Sequence, residues 1–140
     1  IHAHPYTYGY MENFCVVKDD ARCQVEAIGN IRKGAYGSES HQQTRILTMS
    51  DRHNAEAIPV LYIDENDVKA SHAMTLGQPD EEQLYYLQTR GLSKTQALGL
   101  LSVGYFMPAV ELLAHSEHYA QIQYRVEEKV GLYDHRSTAR

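Results

Sequence analysis

LYIDENDVKASHAMTLGQPDEEQLYYLQTRG, residues Leu61 to Gly91, changes its structural period in the middle. Up to Gly77 it reads as two strands around the acidic turn Asp64-Glu65-Asn66, with side chains alternating between two faces. After Pro79 the punctuation is helical. Pro79 suits a first helical position, Asp80, Glu81 and Glu82 favour the positive helix N-terminus, and Arg90 followed by Gly91 marks a stop. The stretch predicts a strand pair followed by a helix from Pro79 to Arg90, and it places a histidine, His72, between the small residues Ser71 and Ala73.

An internal echo extends the strand reading toward the N-terminus. FCVVKDDARCQVEAIG, from Phe14, aligns with VLYIDENDVKASHAMT, from Val60, at a constant offset of 46 residues. In each copy an apolar strand meets an acidic turn and a second strand follows; Thr44 to Met49 supplies a further strand candidate between them. Repetition of short strands at a fixed period marks stacked units that are too small to bury their apolar faces alone. Half the offset, about 23 residues, is a plausible length for one coil of a parallel β-helix. Residues 1–77 are therefore read as the last coils of a β-helix core, and an antiparallel sandwich remains the alternative that a single echo leaves open.

Residues 78–133 are read as a C-terminal helical domain and residues 134–140 as a loose tail. Ser93-Lys94-Thr95-Gln96 has the form of a capping box and predicts a second helix running to His115, with a kink or break near Gly104 to Pro108 because proline removes a donor and crowds the preceding turn. A third helix is expected from Ser116 to Val130. It would place Ile122, Val126 and Val130 on one face, with Gly131 as terminator.

Composition narrows the functional classes. The chain has 140 residues, 43% hydrophobic and 22% charged, which suits one folded domain with a sizeable core. A net charge of −5 and scattered Lys and Arg argue against binding to nucleic acid or an anionic membrane surface. The longest nearly apolar stretch, Ala97 to Val110, is well short of the roughly 20 residues of a membrane span. Opening on Ile1 inside strand-like sequence suggests a piece of a longer polypeptide. Cys15 and Cys23 form neither a C-x-x-C pair nor a dense framework, which points to reduced thiols in a cytoplasmic protein. Opposite Leu61 in the echo, Cys15 reads as a small buried hydrophobe.

His72 is the residue best placed for chemistry, since a neutral imidazole binds iron or zinc or exchanges protons near neutral pH. Its competing reading is that of an ordinary strand histidine. His2 with His4, and His115 with His118, could each pair on one face, but the sequence places no third ligand beside either pair. Nucleophile elbows and phosphate loops are absent. Asp19, Asp20, Asp64 and Glu65 leave open a β-helix carbohydrate-active enzyme, a polysaccharide hydrolase or lyase, although acidic turn residues also serve as solvated punctuation.

The strand LYIDENDVKASHAMTLG, the helix opening DEEQLYYLQTRG and the following LSKTQALGLLSVGYFMPAV resemble the SufB/SufD family of iron–sulfur cluster assembly scaffolds, with a looser likeness from Tyr6 to Met49. The resemblance implies the C-terminal coils of a right-handed parallel β-helix followed by a small helical domain, in a C-terminal fragment of a longer chain. SufD-like members carry a histidine at the place of His72, at or near the contact with SufB, where it is implicated in cluster assembly. SufB-like members carry a cysteine in the region matching Arg52-His53-Asn54-Ala55 and a glutamate after the histidine. Both are missing here, where Ala73 follows His72, and the chain looks SufD-like.

The resemblance further implies a non-catalytic scaffold that pairs with a SufB-like paralogue and binds the ABC-type ATPase SufC. Any iron–sulfur cluster would then pass transiently through the assembled complex rather than be held firmly by this chain. Leu84, Tyr85, Tyr86, Arg90, Tyr105 and Phe106 are the expected ATPase-binding candidates, and His72 the cluster-assembly or subunit-interface candidate with a possible metal role. A homodimer is a further possibility, because an uncovered coil end invites pairing.

Overall fold

Along the strand Ser38–Thr48 every second side chain is buried, and all but one of those buried residues are polar: Ser38, Ser40, Gln42, Thr44 and Thr48, with Ile46 the exception. This strand is the middle of a parallel sheet in a computed structural model that describes residues 1–50, 52 and 54–130. In chain order the elements are β1 (Tyr8–Val17), β2 (Arg22–Ile31), β3 (Ser38–Thr48), β4 (Asn54–Ile63), β5 (Val68–Gly77), α1 (Glu81–Thr89), α2 (Lys94–Glu111) and α3 (Tyr119–Lys129). Strands alternate between two parallel sheets, ordered β1-β3-β5 and β2-β4. The chain divides into two compact units, Ile1–Gly77 and a second beginning at Gln78.

The strand register fixes the true repeat. Tyr8 lies beside Glu39 and Ser38 beside Val68, offsets of 31 and 30 residues, while Arg22 lies beside Asn54 at an offset of 32. The expected coil of about half the 46-residue echo is therefore corrected. An offset of 46 carries β1 onto β4 and β2 onto β5, three strand-and-turn units along the chain, so the echo joins strands of different sheets. Cys15 consequently sits beside Ile46, not opposite Leu61. The antiparallel sandwich is excluded, because every ladder pair is parallel.

The inward rows come close enough to require specific small residues. A Cβ on Gly29 would stand 2.6 Å from the end of the Gln42 amide and 2.9 Å from Leu61 Cδ2. The missing side chain lets Gln42 reach β2. With its amide turned accordingly, the Gln42 oxygen accepts from Gly29 N at 2.6 Å and its nitrogen donates to Ala27 O at 3.3 Å. Asn13 Nδ2 donates to Thr44 Oγ1 at 3.2 Å, and Thr48 Oγ1 donates to Gly77 O at 3.2 Å. Such pairing is what permits a polar interior, since an unmatched buried amide or hydroxyl costs free energy. Val17, Ala27, Ile31, Ala35 and Ile46 supply the apolar part of this core.

Successive turns between the two sheets are tied to one another. Glu65, in the β4–β5 turn, accepts from Gly34 N at 2.9 Å in the β2–β3 turn and from Asn66 N at 2.9 Å. These two backbone donors, the Gly34 bond foremost, hold the Glu65 carboxyl below the usual carboxylate range. On the outer face, Tyr10 donates to Gln43 at 2.7 Å, Arg45 meets Glu12 at 3.4 Å and Lys69 meets Glu39 at 2.7 Å, a polar ladder across neighbouring strands.

In the helical unit the caps match the sequence closely. Ser93 Oγ accepts from Gln96 N at 3.2 Å while Gln96 Oε1 accepts from Ser93 N at 2.9 Å, a reciprocal capping box. Asp80, not Pro79, caps α1, accepting from Gln83 N at 2.9 Å, so Pro79 lies just before the helix. Arg90 and Gly91 stop it: Gly91, at φ 95°, donates to Gln88 O at 3.0 Å and Leu92 donates to Leu87 O at 3.3 Å, the two bonds of a Schellman motif. Of the kink or break expected near Gly104 to Pro108, the break does not occur. Helix α2 runs through Pro108 to Glu111, short of His115. The carbonyl that proline crowds belongs to Gly104, where no side chain adds to the congestion. Helix α3 begins at Tyr119 rather than Ser116, with Ile122, Val126 and Val130 half-buried. Gly131 and the tail 134–140 lie outside the described residues, as does His53.

Candidate functional site

His72 lies in β5, the edge strand of the β1-β3-β5 sheet, directly beside Gln42 of β3 and in line with Met11 of β1. Strand partners share a face, which puts His72 on the same row as the buried Ser40, Gln42 and Thr44. The opposing sheet ends one strand earlier, at β4, and the end of the row is uncovered. His72 is exposed, and its row neighbours Met74 and Leu76 are 51% and 47% exposed. Among the described residues it makes no side-chain hydrogen bond or ion pair. His41, the other described strand histidine, is committed: it bonds Ser71 Oγ at 2.7 Å and lies 3.8 Å from Glu39.

The remaining histidine expectations separate. Residues around His2 form a single bridge and turns rather than a strand, and His2 Nδ1 is bonded to Thr7 Oγ1 at 2.7 Å. Burial holds His2 below the usual histidine range. His115 and His118 do not share a helix, since α2 stops at Glu111 and α3 starts at Tyr119. Among the described residues no three His, Cys, Asp or Glu side chains gather as a metal cluster would require. Asp20 pairs with Arg52 at 3.2 Å and Glu65 is bound to turn backbone, so these acidic residues act as turn punctuation.

The helical candidates fall into two groups. Tyr85 and Tyr86 are 71% and 54% exposed, and Arg90 lies over the Tyr86 ring at 5.2 Å while donating to its hydroxyl at 3.0 Å. Leu84 is half-buried. Tyr105 and Phe106 are half-buried on α2 and meet edge to face at 6.3 Å. A groove of about 470 Å³ in this unit is lined by Glu82, Gln83, Tyr86, Leu87 and Leu101. Tyr86 alone of these was an expected partner-binding candidate by residue; Leu87 and Leu101 were legible as part of the apolar helix pair, but their meeting across α1 and α2 was not. Among the described residues no helix is long and apolar enough to cross a membrane.

Comparison with known proteins now gives this arrangement a family. The family model described as SUF system FeS cluster assembly, SufBD core domain, matches residues 1–105, and the chain belongs to the SufB/SufD family. Within it the chain is SufD-like. It is 37% identical over 130 residues to the iron–sulfur cluster assembly protein SufD of Bacillus subtilis (strain 168), covering 93% of this chain and 30% of that protein. A SufBD family iron–sulfur cluster assembly protein of Mycobacterium leprae (strain TN) is 31% identical over 110 residues, covering 78% of this chain and 28% of the relative. The chain thus spans less than a third of the length of these relatives.

Proposed function

We propose that this chain serves as a non-catalytic scaffold segment in iron–sulfur cluster assembly, pairing with a SufB-like paralogue through its strand unit and binding the SufC-type ATPase through its helical unit. The carrying observation is His72, an exposed and uncommitted imidazole on the uncovered end of an otherwise buried row. On this reading the two parallel sheets are the closing coils of a right-handed parallel β-helix. Met74 and Leu76 supply apolar area for the paralogue to cover, and His72 is delivered to the contact as a ligand or proton carrier for cluster intermediates. The alternating sheets and the kinship with SufD support it.

The second contact uses the aromatic surface of α1 with the adjoining groove. Tyr85 and the stacked Tyr86–Arg90 pair offer the residue types that dominate interface energetics. ATP hydrolysis belongs to the partner, and closure of its subunits would move the helical domains and expose the assembly site. The carbohydrate-enzyme reading is weaker, because its acidic candidates are tied into turns: Glu65 accepts from Gly34 N and Asn66 N, and Asp20 pairs with Arg52. The test is His72→Ala in the full complex. The complex should assemble while cluster maturation is lost; normal maturation would remove the role assigned to His72.

A further inference from the structure

Cys15, near the end of β1, and Cys23, near the start of β2, have their sulfur atoms 3.0 Å apart. They belong to different sheets and are brought together by the turn 18–21, in which Ala21 N donates to Lys18 O at 3.2 Å and Asp19 takes φ 58°. A disulfide bond length is about 2.05 Å, leaving roughly 1 Å of approach, which is within side-chain rotation. In the register Cys23 stands beside the small Ala55, while Cys15 stands beside Ile46. Both thiols are free and half-buried, so a small reagent reaches them more readily than a second folded chain.

We propose that Cys15 and Cys23 are a reversible dithiol–disulfide site, oxidised by a low-molecular-weight disulfide of the glutathione class, which when oxidised staples one sheet to the other. The pair is better suited to this than to metal binding, since among the described residues no third His, Cys, Asp or Glu joins it. The two sulfurs have different parts. Burial, and after it the hydrogen bond to Cys23, push the Cys15 thiol up to about 12, so Cys15 is the poorer source of thiolate and the exchange starts at Cys23.

The reaction balances in two exchanges. The Cys23 thiolate attacks one sulfur of the small disulfide, forming a mixed disulfide and releasing one small thiolate. That thiolate takes the Cys15 proton, and the Cys15 sulfur then attacks Cys23 Sγ, displacing the second small thiolate, which is protonated by the proton Cys23 first lost. Two protein thiols and one small disulfide become one protein disulfide and two small thiols. Excess small thiol reverses the sequence, so the site reports the thiol–disulfide ratio of its surroundings. The link would constrain the unfolded chain across the β1–β2 turn.

Intact-mass measurement of the whole chain equilibrated with oxidised and reduced glutathione tests this. Oxidation should remove the mass of two hydrogens, place the link between Cys15 and Cys23 on peptide mapping, and be undone by dithiothreitol. Cys15→Ser should accumulate one glutathione adduct on Cys23, whereas Cys23→Ser should react about tenfold more slowly or less. A wild-type chain that stays fully reduced in excess oxidised glutathione, or that ends with separate glutathione adducts on both cysteines, would overturn the proposal.

Discussion

Gln42 and His72 are neighbours in the β3–β5 register and share one face of the sheet, yet Gln42 is buried and bonded to β2 while His72 is exposed and unbonded. The opposing strands account for the difference. Gln42 faces β2, reaching Ala27 and Gly29, whereas no described strand faces His72 from that sheet. Replacing Gln42 by Ala strips a partner from buried backbone and should cost about 1–3 kcal/mol in urea unfolding. Replacing His72 by Ala should stay within about 0.5 kcal/mol of wild type. Equal losses at both positions would contradict the distinction.

Much of the helical unit was legible because its signals are local. Ser93 and Gln96 cap α2 as their spacing implies, and Gly91 stops α1 through a backbone conformation that few other residues adopt. The repeat length was not legible, because strand patterning is normally read from apolar alternation and the inward row of β3 is Ser, Ser, Gln, Thr, Ile, Thr. With that strand nearly silent, the echo linked β1 to β4 and missed the 30 to 32 residue spacing of paired strands. The Cys15–Cys23 approach was hidden for a related reason: its spacing matches no motif, and only the turn between sheets brings the sulfurs together. His72 could be singled out by residue type, but its exposure depends on where the second sheet stops.

Gly29→Ala tests the close approach of the inward rows. A methyl group would meet the end of the Gln42 amide at 2.6 Å and Leu61 Cδ2 at 2.9 Å, and the strain should cost about 1–3 kcal/mol. Adding Gln42→Ser should recover part of the loss. A double variant no better than the strictly additive sum would place the strain elsewhere.

Ser93→Ala removes one half of the capping box that opens α2. The expected cost is about 1 kcal/mol, with Ser93→Asp retaining most of the stability. Indistinguishable unfolding of the Ala variant would mean that the cap adds nothing to the helical unit.

The pH dependence of the strand unit should include Glu65. Its folded carboxyl lies below the ordinary glutamate value, so its contribution is fully present above that ordinary value and declines as pH falls through the lower folded one. Glu65→Gln should weaken the acid limb of the stability profile without changing the neutral-to-alkaline slope. An unchanged acid limb would show that the turn bond to Gly34 is not coupled to folding.

The central claim is that this chain is a scaffold segment with two partners, and light scattering on a size-exclusion column tests it most directly. The full-length protein containing this chain would be mixed with SufC and then with SufB. The account predicts a stable complex with SufC that gains mass when SufB joins. Elution of the protein at its own mass in the presence of both would contradict it.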